Sequence, residues 1–294
     1  MKILLTGKTG QVGFELERSL QGLGEIIALD RSQMDLANLD QVRGVIRAIK
    51  PNLIINPAAY TAVDKAESEP ELAMRINGEA PGVMAEEAKK LGAAMIHYST
   101  DYVFDGSKKT PYVETDPTCP INVYGATKLA GEQALQAADI PHLILRTSWV
   151  YGMRGNNFLR TMLRLAQQRE ELRIVADQHG APTWCRTIAD TTAHIVAQGR
   201  GRHLQDWWQQ HTGIYHLTAQ GHTTWYGFTQ AILENSTIAR KPVLTPITTQ
   251  DYPLPAKRPP YSVMACAHLI KTFCELPRWD SALALCQNQN SHPN

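Results

Sequence analysis

The amino-acid sequence predicts an α/β protein that is built on a doubly wound parallel β-sheet. Over the first 150 residues, short apolar runs typical of buried strands alternate with amphipathic stretches typical of helices. Such alternation indicates right-handed crossover connections, with helices on both faces of one sheet. The 294 residues are enough for one large domain or two modest ones.

Each predicted strand is a short apolar run that ends at a turn or a polar residue. These strands are expected at residues 2–6, 25–29, 52–56, 93–98 and 142–147. The helices between them are expected at residues 11–21, 39–49, 70–91 and 122–136. Pro70 suits the first turn of the third helix, where a backbone N–H has no helical partner in any case.

The alternation becomes less regular after residue 150. Helices are expected at residues 157–168, 186–198 and 224–234, and a strand at 214–217. Residues 251–260 contain four prolines and are expected to form an extended loop. The polar tail from residue 287 onward is expected to be frayed.

Three glycines lie between the first predicted strand and the first predicted helix. Gly7 permits a tight turn, Gly10 a close approach of the backbone to a pyrophosphate, and Gly13 close packing of the helix on the strand. Free N–H groups and the dipole at the helix N-terminus favour phosphate. The spacing is G-x-x-G-x-x-G rather than G-x-G-x-x-G, but the strand–turn–helix context favours a dinucleotide site of the Rossmann type over a purely structural turn.

The residues that end the second strand leave the choice of dinucleotide open. Asp30 lies where a carboxylate can bond the ribose hydroxyls of NAD, whereas Arg31 can bind the 2′-phosphate of NADP. Either NADPH or NADH is therefore expected as cofactor. We expect a dinucleotide-binding Rossmann domain at residues 1–150, to which later segments return. A smaller α/β domain at residues 151–294 is expected to bind the substrate.

Tyr124 and Lys128 form a candidate catalytic pair. Four residues apart on a predicted helix, they lie one above the other on one face. A nearby ammonium favours the phenolate, so Lys128 is expected to lower the pKa of Tyr124 and also to bond the nicotinamide ribose. Thr100 follows the fourth strand, at the sheet edge where parallel sheets bind ligands, and can hold a carbonyl oxygen beside Tyr124.

The composition argues against several classes of function. The net charge is +1, from 29 basic and 28 acidic residues, which gives no basic surplus for nucleic acid. No run approaches the ~18 apolar residues of a membrane span. The five cysteines form no C-x-x-C pair and the ten histidines show no metal-ligand spacing. Reduced thiols, no His- or Cys-built catalytic metal and a cytoplasmic location are therefore expected.

Six sequence blocks together resemble one family within the extended short-chain dehydrogenase/reductase superfamily. They are GKTGQVG from residue 7, TAVDKAE from 61, STDYVFDG from 99, RTSWVYG from 146, GNNF from 155 and DQHGAPT from 177. These blocks resemble the dTDP-4-dehydrorhamnose reductases from residue 1 to about residue 190. The resemblance weakens after that, although the KRPP stretch from residue 257 is similar to a late Arg-Pro loop of that family.

The resemblance implies a reaction and a set of site residues. The reaction is reduction of the C4 ketone of dTDP-4-dehydro-β-L-rhamnose by NADPH or NADH, with Tyr124 as proton donor. The product, dTDP-L-rhamnose, is a sugar donor for surface polysaccharides such as O-antigen. The implied cofactor residues are Gly10, Gln11, Val12, Asp30, Asp35, Leu36, Ala59, Tyr60 and Thr61. The implied substrate residues are Thr100, Asp101, Trp149, Asn157, Gln178 and Arg258.

Several of these residues also have a structural interpretation. Trp149 could be a core aromatic at a strand end, and Asp35 could cap the following segment. Asn157 and Gln178 could bond the nucleotide or only their own loops. Arg258 could bind a diphosphate or remain a solvated loop residue.

The resemblance also raises Mg²⁺ at a subunit interface, held by glutamates. Glu15 matches that pattern, but Arg186 stands where a second glutamate is expected. A cation placed beside another cation makes the metal, and a dimer built through it, doubtful. The protein is expected to be a monomer or a homodimer that binds a dTDP-sugar, without nucleic-acid or membrane partners.

Two other functions compete with the reductase. A nucleotide-sugar epimerase or dehydratase could share the scaffold, but a dehydratase would need an acid at residue 102, where this chain has Tyr102. A regulatory subunit could bind dinucleotide without turnover, although the presence of Thr100, Tyr124 and Lys128 argues against that.

Overall fold

The computed structural model describes residues 1–201 and 204–288. The strands are β1 (Lys2–Leu5), β2 (Glu25–Ala28), β3 (Leu53–Asn56), β4 (Ala94–Thr100), β5 (His142–Thr147), β6 (Val150–Tyr151), β7 (Glu171–Val175), β8 (His179–Gly180), β9 (Thr183–Trp184), β10 (Gly213–His216), β11 (Thr223–Thr224) and β12 (Val243–Ile247). The helices are α1 (Gln11–Ser19), α2 (Leu39–Ile49), α3 (Val63–Ala66), α4 (Pro70–Met74), α5 (Ala80–Leu91), α6 (Val123–Ala137), α7 (Phe158–Ala166), α8 (Cys185–Gln198), α9 (Leu204–Gln210), α10 (Trp225–Glu234), α11 (Ala267–Thr272) and α12 (Trp279–Asn288).

A six-stranded sheet forms the centre of the structure, in the order β10-β5-β4-β3-β1-β2. Every neighbouring pair in this sheet is parallel. The predicted fold class, a doubly wound Rossmann-type α/β protein, is thereby confirmed. The late strand β10 returns to this sheet and pairs with β5.

Both faces of the central sheet are covered by helices. Ile3 and Leu5 of β1 belong to one core, together with residues of α1 and α8. Leu4, between them, belongs to the opposite core, together with residues of α2 and α5. Successive strand residues point to opposite faces of the sheet, and helices bury both faces. These strands therefore appear in the sequence as continuous apolar runs.

The strand order reverses between β1 and β3, which are neighbours with β2 on the outer side of β1. Ligands of open parallel sheets bind beyond the carboxyl ends of the strands at such a switch point. Thr6 follows β1 there, and Asn56 ends β3. Thr100 and Thr147, which are register partners, end β4 and β5 at the same edge.

A third core lies among α7, α10, α12 and β7. It contains Tyr151, Leu159, Phe228 and Leu283. Next to it, β7 and β12 form a small parallel ladder that the sequence did not predict. β12 contains Pro246, a residue that normally argues against a strand, and it is tolerated here in a two-stranded ladder where every strand is an edge.

The other predicted elements lie close to those observed, with differences at their ends. The helix expected at 70–91 contains a π-helical turn, Arg75–Glu79, between α4 and α5. Gln287, expected in a frayed tail, is buried in α12, while residues 289–294 of that tail lie outside the described residues. None of the helices in the described parts of the chain is both long and apolar enough to cross a bilayer.

Candidate active site

Tyr124 and Lys128 lie one helical turn apart near the start of α6. Asn122 caps this helix, because its Oδ1 accepts a hydrogen bond from the Gly125 N–H at 2.7 Å. A Cβ on Gly125 would lie 2.2 Å from the Tyr102 carbonyl oxygen. Glycine therefore allows the start of α6 to pack on the turn that follows β4, which brings Tyr124 to the carboxyl edge of the sheet.

The Tyr124 phenol is half-buried beside Thr100 and Tyr102. Its ring meets the Tyr102 ring edge to face, with centroids 5.9 Å apart. Burial raises the pKa of Tyr124 to about 12, and a hydrogen bond with Thr100 acts in the opposite direction. The predicted lowering of this pKa by Lys128 is therefore wrong, since burial of the phenol dominates. The phenol keeps its proton at neutral pH, as a proton donor requires.

The Lys128 amine is enclosed rather than free in the cleft. The residue is 2% exposed, and its Nζ donates to the Tyr98 carbonyl oxygen at 2.6 Å. It also lies 3.2 Å from Nε2 of His97. Burial lowers the pKa of Lys128 to about 8, opposed by the charge of Glu132 on the next helical turn. The lysine is thus charged at neutral pH, but only by a narrow margin.

Asp101 is buried and bonded to neighbouring side chains, and its predicted role in binding substrate stays a prediction. It is 2% exposed, and the Thr100 hydroxyl donates to its Oδ1 at 3.1 Å. The Ser262 hydroxyl donates to its other oxygen. Burial raises the pKa of Asp101 to about 7, and these two hydrogen bonds oppose that rise. Asp101 therefore holds Thr100 in place and ties the turn after β4 to the later part of the chain.

The glycine-rich turn has the geometry that a bound diphosphate needs. Gly7 has a left-handed backbone, with φ of +60°. A Cβ on Gly13 would lie 2.1 Å from the Gly7 carbonyl oxygen. Gly10 is the N-cap of α1 and places no side chain over the first N–H groups of the helix. These free N–H groups fit a dinucleotide phosphate.

Asn157 contacts the glycine-rich turn and its own loop, rather than the cavity described below. Its Nδ2 donates to Gln11 Oε1 and to the Gly152 carbonyl oxygen, both at 2.8 Å. Its Oδ1 caps α7 by accepting from the Arg160 N–H at 3.1 Å. Val12 packs between the first and third cores. Asn157 thus positions Gln11, and its predicted direct contact with substrate has no support in these bonds.

The residues that follow β2 leave both predicted dinucleotides open. Asp30 accepts hydrogen bonds from the hydroxyl and N–H of Ser32 and lies 3.6 Å from Lys8 Nζ; the Ser32 bonds hold the pKa of Asp30 low. Arg31 is 77% exposed at its side chain and pairs with Asp35 at 3.5 Å. Asp35 also accepts a backbone N–H two residues later, as a cap does. An ionised carboxylate fits ribose hydroxyls, and an exposed guanidinium fits a 2′-phosphate.

The loops that follow β2 and β3 carry the remaining residues predicted for the cofactor. Leu36 is 6% exposed and packs in the second core. The Tyr60 N–H donates to Asn77 Oδ1 at 2.8 Å, and its carbonyl oxygen accepts from Asn77 Nδ2 at 3.0 Å. Ala59 is half-buried and Thr61 is exposed. The Asn77 side chain, which projects from the π-helical turn, therefore fixes the backbone beside the switch point.

A cavity of about 930 Å³ is lined by α7, β7, Tyr102 and the loop after β12. Gln178 and Arg258, both predicted to bind substrate, are among its lining residues. Arg258 donates to Asp64 Oδ2 at 2.8 Å, and its guanidinium carbon lies 5.9 Å from the Tyr102 ring centroid. Because the Tyr102 ring also meets Tyr124, the cavity and the candidate catalytic helix share a neighbour.

Trp149 is linked to this cavity through Trp225. The two indoles stack with centroids 3.5 Å apart and planes 6° from parallel, and Trp225 Nε1 donates to Gln178 Oε1 at 3.1 Å. A Cβ on Gly180 would lie 2.4 Å from the Trp149 ring. One face of the Trp149 ring is therefore covered by Trp225, which is itself a lining residue of the cavity.

The residues at the doubtful Mg²⁺ site do not fit a divalent cation. Arg186 lies 3.7 Å from Asp190, one turn along α8. Across residues 1–201 and 204–288 there is no group of three His, Cys, Asp or Glu side chains that could hold a metal ion.

Sequence reasoning missed the residues that support the site, namely Asn56, Asn77, His97, Tyr102 and Ser262. They come from separate strands and loops, so no local spacing connects them. One usable signal was His97, a polar residue that directly follows the apolar residues 94–96 of β4, because a buried polar side chain requires a partner.

Comparisons with known proteins agree on one family. The family model described as "RmlD substrate binding domain" matches residues 1–291. The dTDP-4-dehydrorhamnose reductase of Burkholderia thailandensis is 49% identical, over 97% of this chain and 98% of that protein. A crystal structure of a dTDP-4-dehydrorhamnose reductase from Clostridium acetobutylicum has a TM-score of 0.91 at 37% identity and covers 99% of this chain and 100% of that one.

A second solved structure contains a cofactor. It is the dTDP-4-dehydrorhamnose reductase of Bacillus anthracis in complex with NADP, with a TM-score of 0.89 at 34% identity, over 98% of this chain and 99% of that one. The match to the family model, the near-complete coverage and the identities above 30% lead to one conclusion. The chain belongs to the RmlD family, whose similar members are named dTDP-4-dehydrorhamnose reductases.

Proposed function

We propose that the protein reduces the C4 ketone of dTDP-4-dehydro-β-L-rhamnose to dTDP-L-rhamnose, with NADPH or NADH as hydride donor. The family membership and the NADP in the Bacillus anthracis relative support this proposal. The observation that carries it is that Tyr124 lies beside Thr100, at the carboxyl end of β4, while Lys128, one helical turn along α6, bonds Tyr98 and contacts His97 of the same strand.

In this proposal Tyr124 donates its proton to the ketone oxygen, which becomes the C4 hydroxyl. Bound nicotinamide supplies the hydride to the ketone carbon. The Thr100 hydroxyl, which donates to Asp101 in this structure, would turn its proton to the ketone oxygen and hold that oxygen beside the phenol. The Lys128 ammonium stabilises the phenolate that remains, because an opposite charge favours the ionised form. A proton from solvent then restores Tyr124.

The sugar nucleotide is proposed to occupy the cavity beside Tyr102. Arg258 suits its diphosphate, because a guanidinium can bond two phosphate oxygens at once. Arg169 and Arg173 also line this cavity and add positive charge. Trp225 offers an aromatic surface for the base or the sugar.

We further propose a cytoplasmic location and a monomeric or homodimeric state without nucleic-acid partners. The five cysteines are free thiols, which fits a reducing compartment. Gel filtration of the purified chain with light scattering tests the oligomeric state, and fractionation tests the location.

The activity is tested by following NADPH and NADH consumption with the dTDP ketosugar, and by product NMR for the C4 configuration. Tyr124→Phe is expected to lower kcat by about 10²–10⁴-fold, the usual contribution of a general acid. Tyr151→Phe is the matched control. Its buried hydroxyl has no partner among the described residues, so its removal is expected to leave the rate unchanged.

Two outcomes would count against the proposal. Equal rates for Tyr124→Phe and the parent would remove Tyr124 as the acid. Tight NADPH binding without consumption by the parent would instead favour a regulatory dinucleotide-binding subunit.

A further inference from the structure

A buried chain of polar side chains runs from the end of β1 to the Lys128 amine. The Thr6 hydroxyl donates to Asn56 Oδ1 at 2.6 Å, and Asn56 Nδ2 lies 3.2 Å from His97 Nδ1. His97 Nε2 in turn lies 3.2 Å from Lys128 Nζ. None of the four residues is more than 2% exposed. The chain crosses the sheet at the switch point between β1 and β3, directly before the glycine-rich turn.

The position of His97 would ordinarily suit an apolar residue. It lies in the middle of β4, next to Ile96 and across from Ile144 on β5. A buried imidazole costs free energy unless its ring nitrogens are hydrogen-bonded. Both ring nitrogens of His97 have a partner, and one of those partners is the candidate catalytic lysine. The ring is therefore placed to act on Lys128.

We propose that His97 is a positioning residue that acts through Lys128, an inference that rests on the proposed reductase activity. An ammonium has three N–H donors. His97 Nε2 accepts one when Nδ1 carries the ring proton, the Tyr98 carbonyl oxygen accepts a second at 2.6 Å, and the third is left for the proposed bond to the cofactor ribose. The imidazole thus keeps the lysine charged in a buried site and fixes the direction of its amine.

This bond requires one particular tautomer of the imidazole. Burial and the neighbouring Lys128 keep the pKa of His97 well below its ordinary value, so the ring is neutral. A neutral ring accepts at Nε2 when Nδ1 carries the proton. That tautomer requires the Asn56 amide to be turned over from the orientation given above, so that its oxygen accepts from Nδ1–H and its nitrogen donates to the Thr6 hydroxyl.

The ionisable groups around the Lys128 amine come from three elements. Glu132 and Tyr124 lie on its own helix, His97 on β4, and Arg146 on β5, where it is bonded to Glu132. Glu132 favours the ammonium, but Arg146 already takes both of its carboxylate oxygens. His97 is therefore the side-chain acceptor on which the lysine depends.

The test is the pH dependence of kcat/KM and, independently, of NADPH affinity. In the parent, both are expected to fall as the pH rises through about 8, where Lys128 loses its proton. This fall is the alkaline limb of each pH profile. His97→Leu is expected to move the limb to lower pH by about one unit, which is a tenfold change in the acid constant of Lys128. His97→Gln is expected to restore it, because its amide oxygen can accept from the ammonium.

Two further variants separate positioning from packing. His142→Leu removes another buried histidine, at the amino end of β5, whose ring bonds the Ile140 carbonyl oxygen; the limb should not move. Thr6→Val should shift the limb in the parent but add nothing to His97→Leu, because the hydroxyl acts through the imidazole.

The outcomes distinguish this inference from the proposed function. If the parent consumes no NADPH with the ketosugar, the proposed function fails, while the pH dependence of NADPH affinity still tests His97. An unshifted limb in His97→Leu overturns the inference. So does an equal loss in His97→Leu and His97→Gln without a shift, since that indicates packing alone. If thermal melting shows that His97→Leu does not fold, the pH profiles of His97→Gln and Thr6→Val decide between positioning and packing.

Discussion

Removing one partner of the buried ion pair beneath the candidate catalytic helix should lower the stability of the protein strongly. Arg146 on β5 donates from Nε and Nη2 to the two carboxylate oxygens of Glu132 on α6, at 2.9 and 2.7 Å. The side chains are 2% and 1% exposed. Nη1 of the arginine has no partner among the described residues. Loss of the carboxylate would therefore leave an uncompensated buried cation.

The expected magnitude follows from that burial. Glu132→Gln should cost about 3–5 kcal/mol, the typical penalty for breaking a buried pair on one side. At about 2–4 °C per kcal/mol for a chain of this size class, the melting temperature should fall by roughly 6–20 °C. Replacing both partners, as Glu132→Gln with Arg146→Met, should recover part of the loss because no buried charge is then left unpaired.

Urea denaturation and thermal melting of matched variants measure this effect. Glu170→Gln is the control, because Glu170 pairs with Arg240 at 2.9 Å while the two side chains are 81% and 84% exposed. An exposed pair of similar length should contribute about 0–1 kcal/mol. Equal losses for Glu132→Gln and Glu170→Gln would refute the argument that burial decides the cost.

The remaining predictions concern the cofactor turn. Gly13→Ala should weaken NADPH binding by roughly tenfold or more, because its Cβ would lie 2.1 Å from the Gly7 carbonyl oxygen and overpacking costs about 1–3 kcal/mol. Gly44→Ala, with nothing within 4 Å of the new Cβ, is its control, and equal affinities in a fluorescence titration would contradict the prediction. Asn157→Ala should weaken NADPH binding by about three- to tenfold by releasing Gln11. Unchanged affinity would show that this bond does not shape the turn.

The elements of the central sheet could be predicted because their signal is local. β1 and β5 are continuous apolar runs, which is what burial on both faces demands. β7 and β12 were missed for a physical reason. β7 has the alternation of a half-buried strand, with exposed Glu171 and Arg173 between buried residues, but only over a very short stretch, and β12 contains a proline. These two strands are stabilised by each other and by the third core, so neither has a strong signal alone.

The candidate site likewise contains residues that the sequence could predict and contacts that it could not. Tyr124 and Lys128 could be identified from their four-residue spacing on a helix, and the glycines from their positions between a strand and a helix. In both cases the chemistry depends on residues that are close in sequence. The bond between Ser262 and Asp101 could not be identified in this way, because the serine is 161 residues away from Asp101 in sequence. Contacts across such separations are set by the folded chain, and no spacing in one sequence reveals them.

The role proposed for Lys128 follows from the effect of burial on the pKa values of Tyr124 and Lys128. Burial raises the pKa of Tyr124 and lowers that of Lys128, so it disfavours the charged form of each. At the start of the proposed reaction the phenol is neutral and gains little from a nearby cation. At the end it is a phenolate in a site with little water, where an ammonium stabilises it strongly. An interaction that grows along the reaction raises kcat, whereas one present from the start only tightens binding. The lysine can therefore govern the rate without lowering the resting pKa of the tyrosine, provided that His97 and Tyr98 keep it charged.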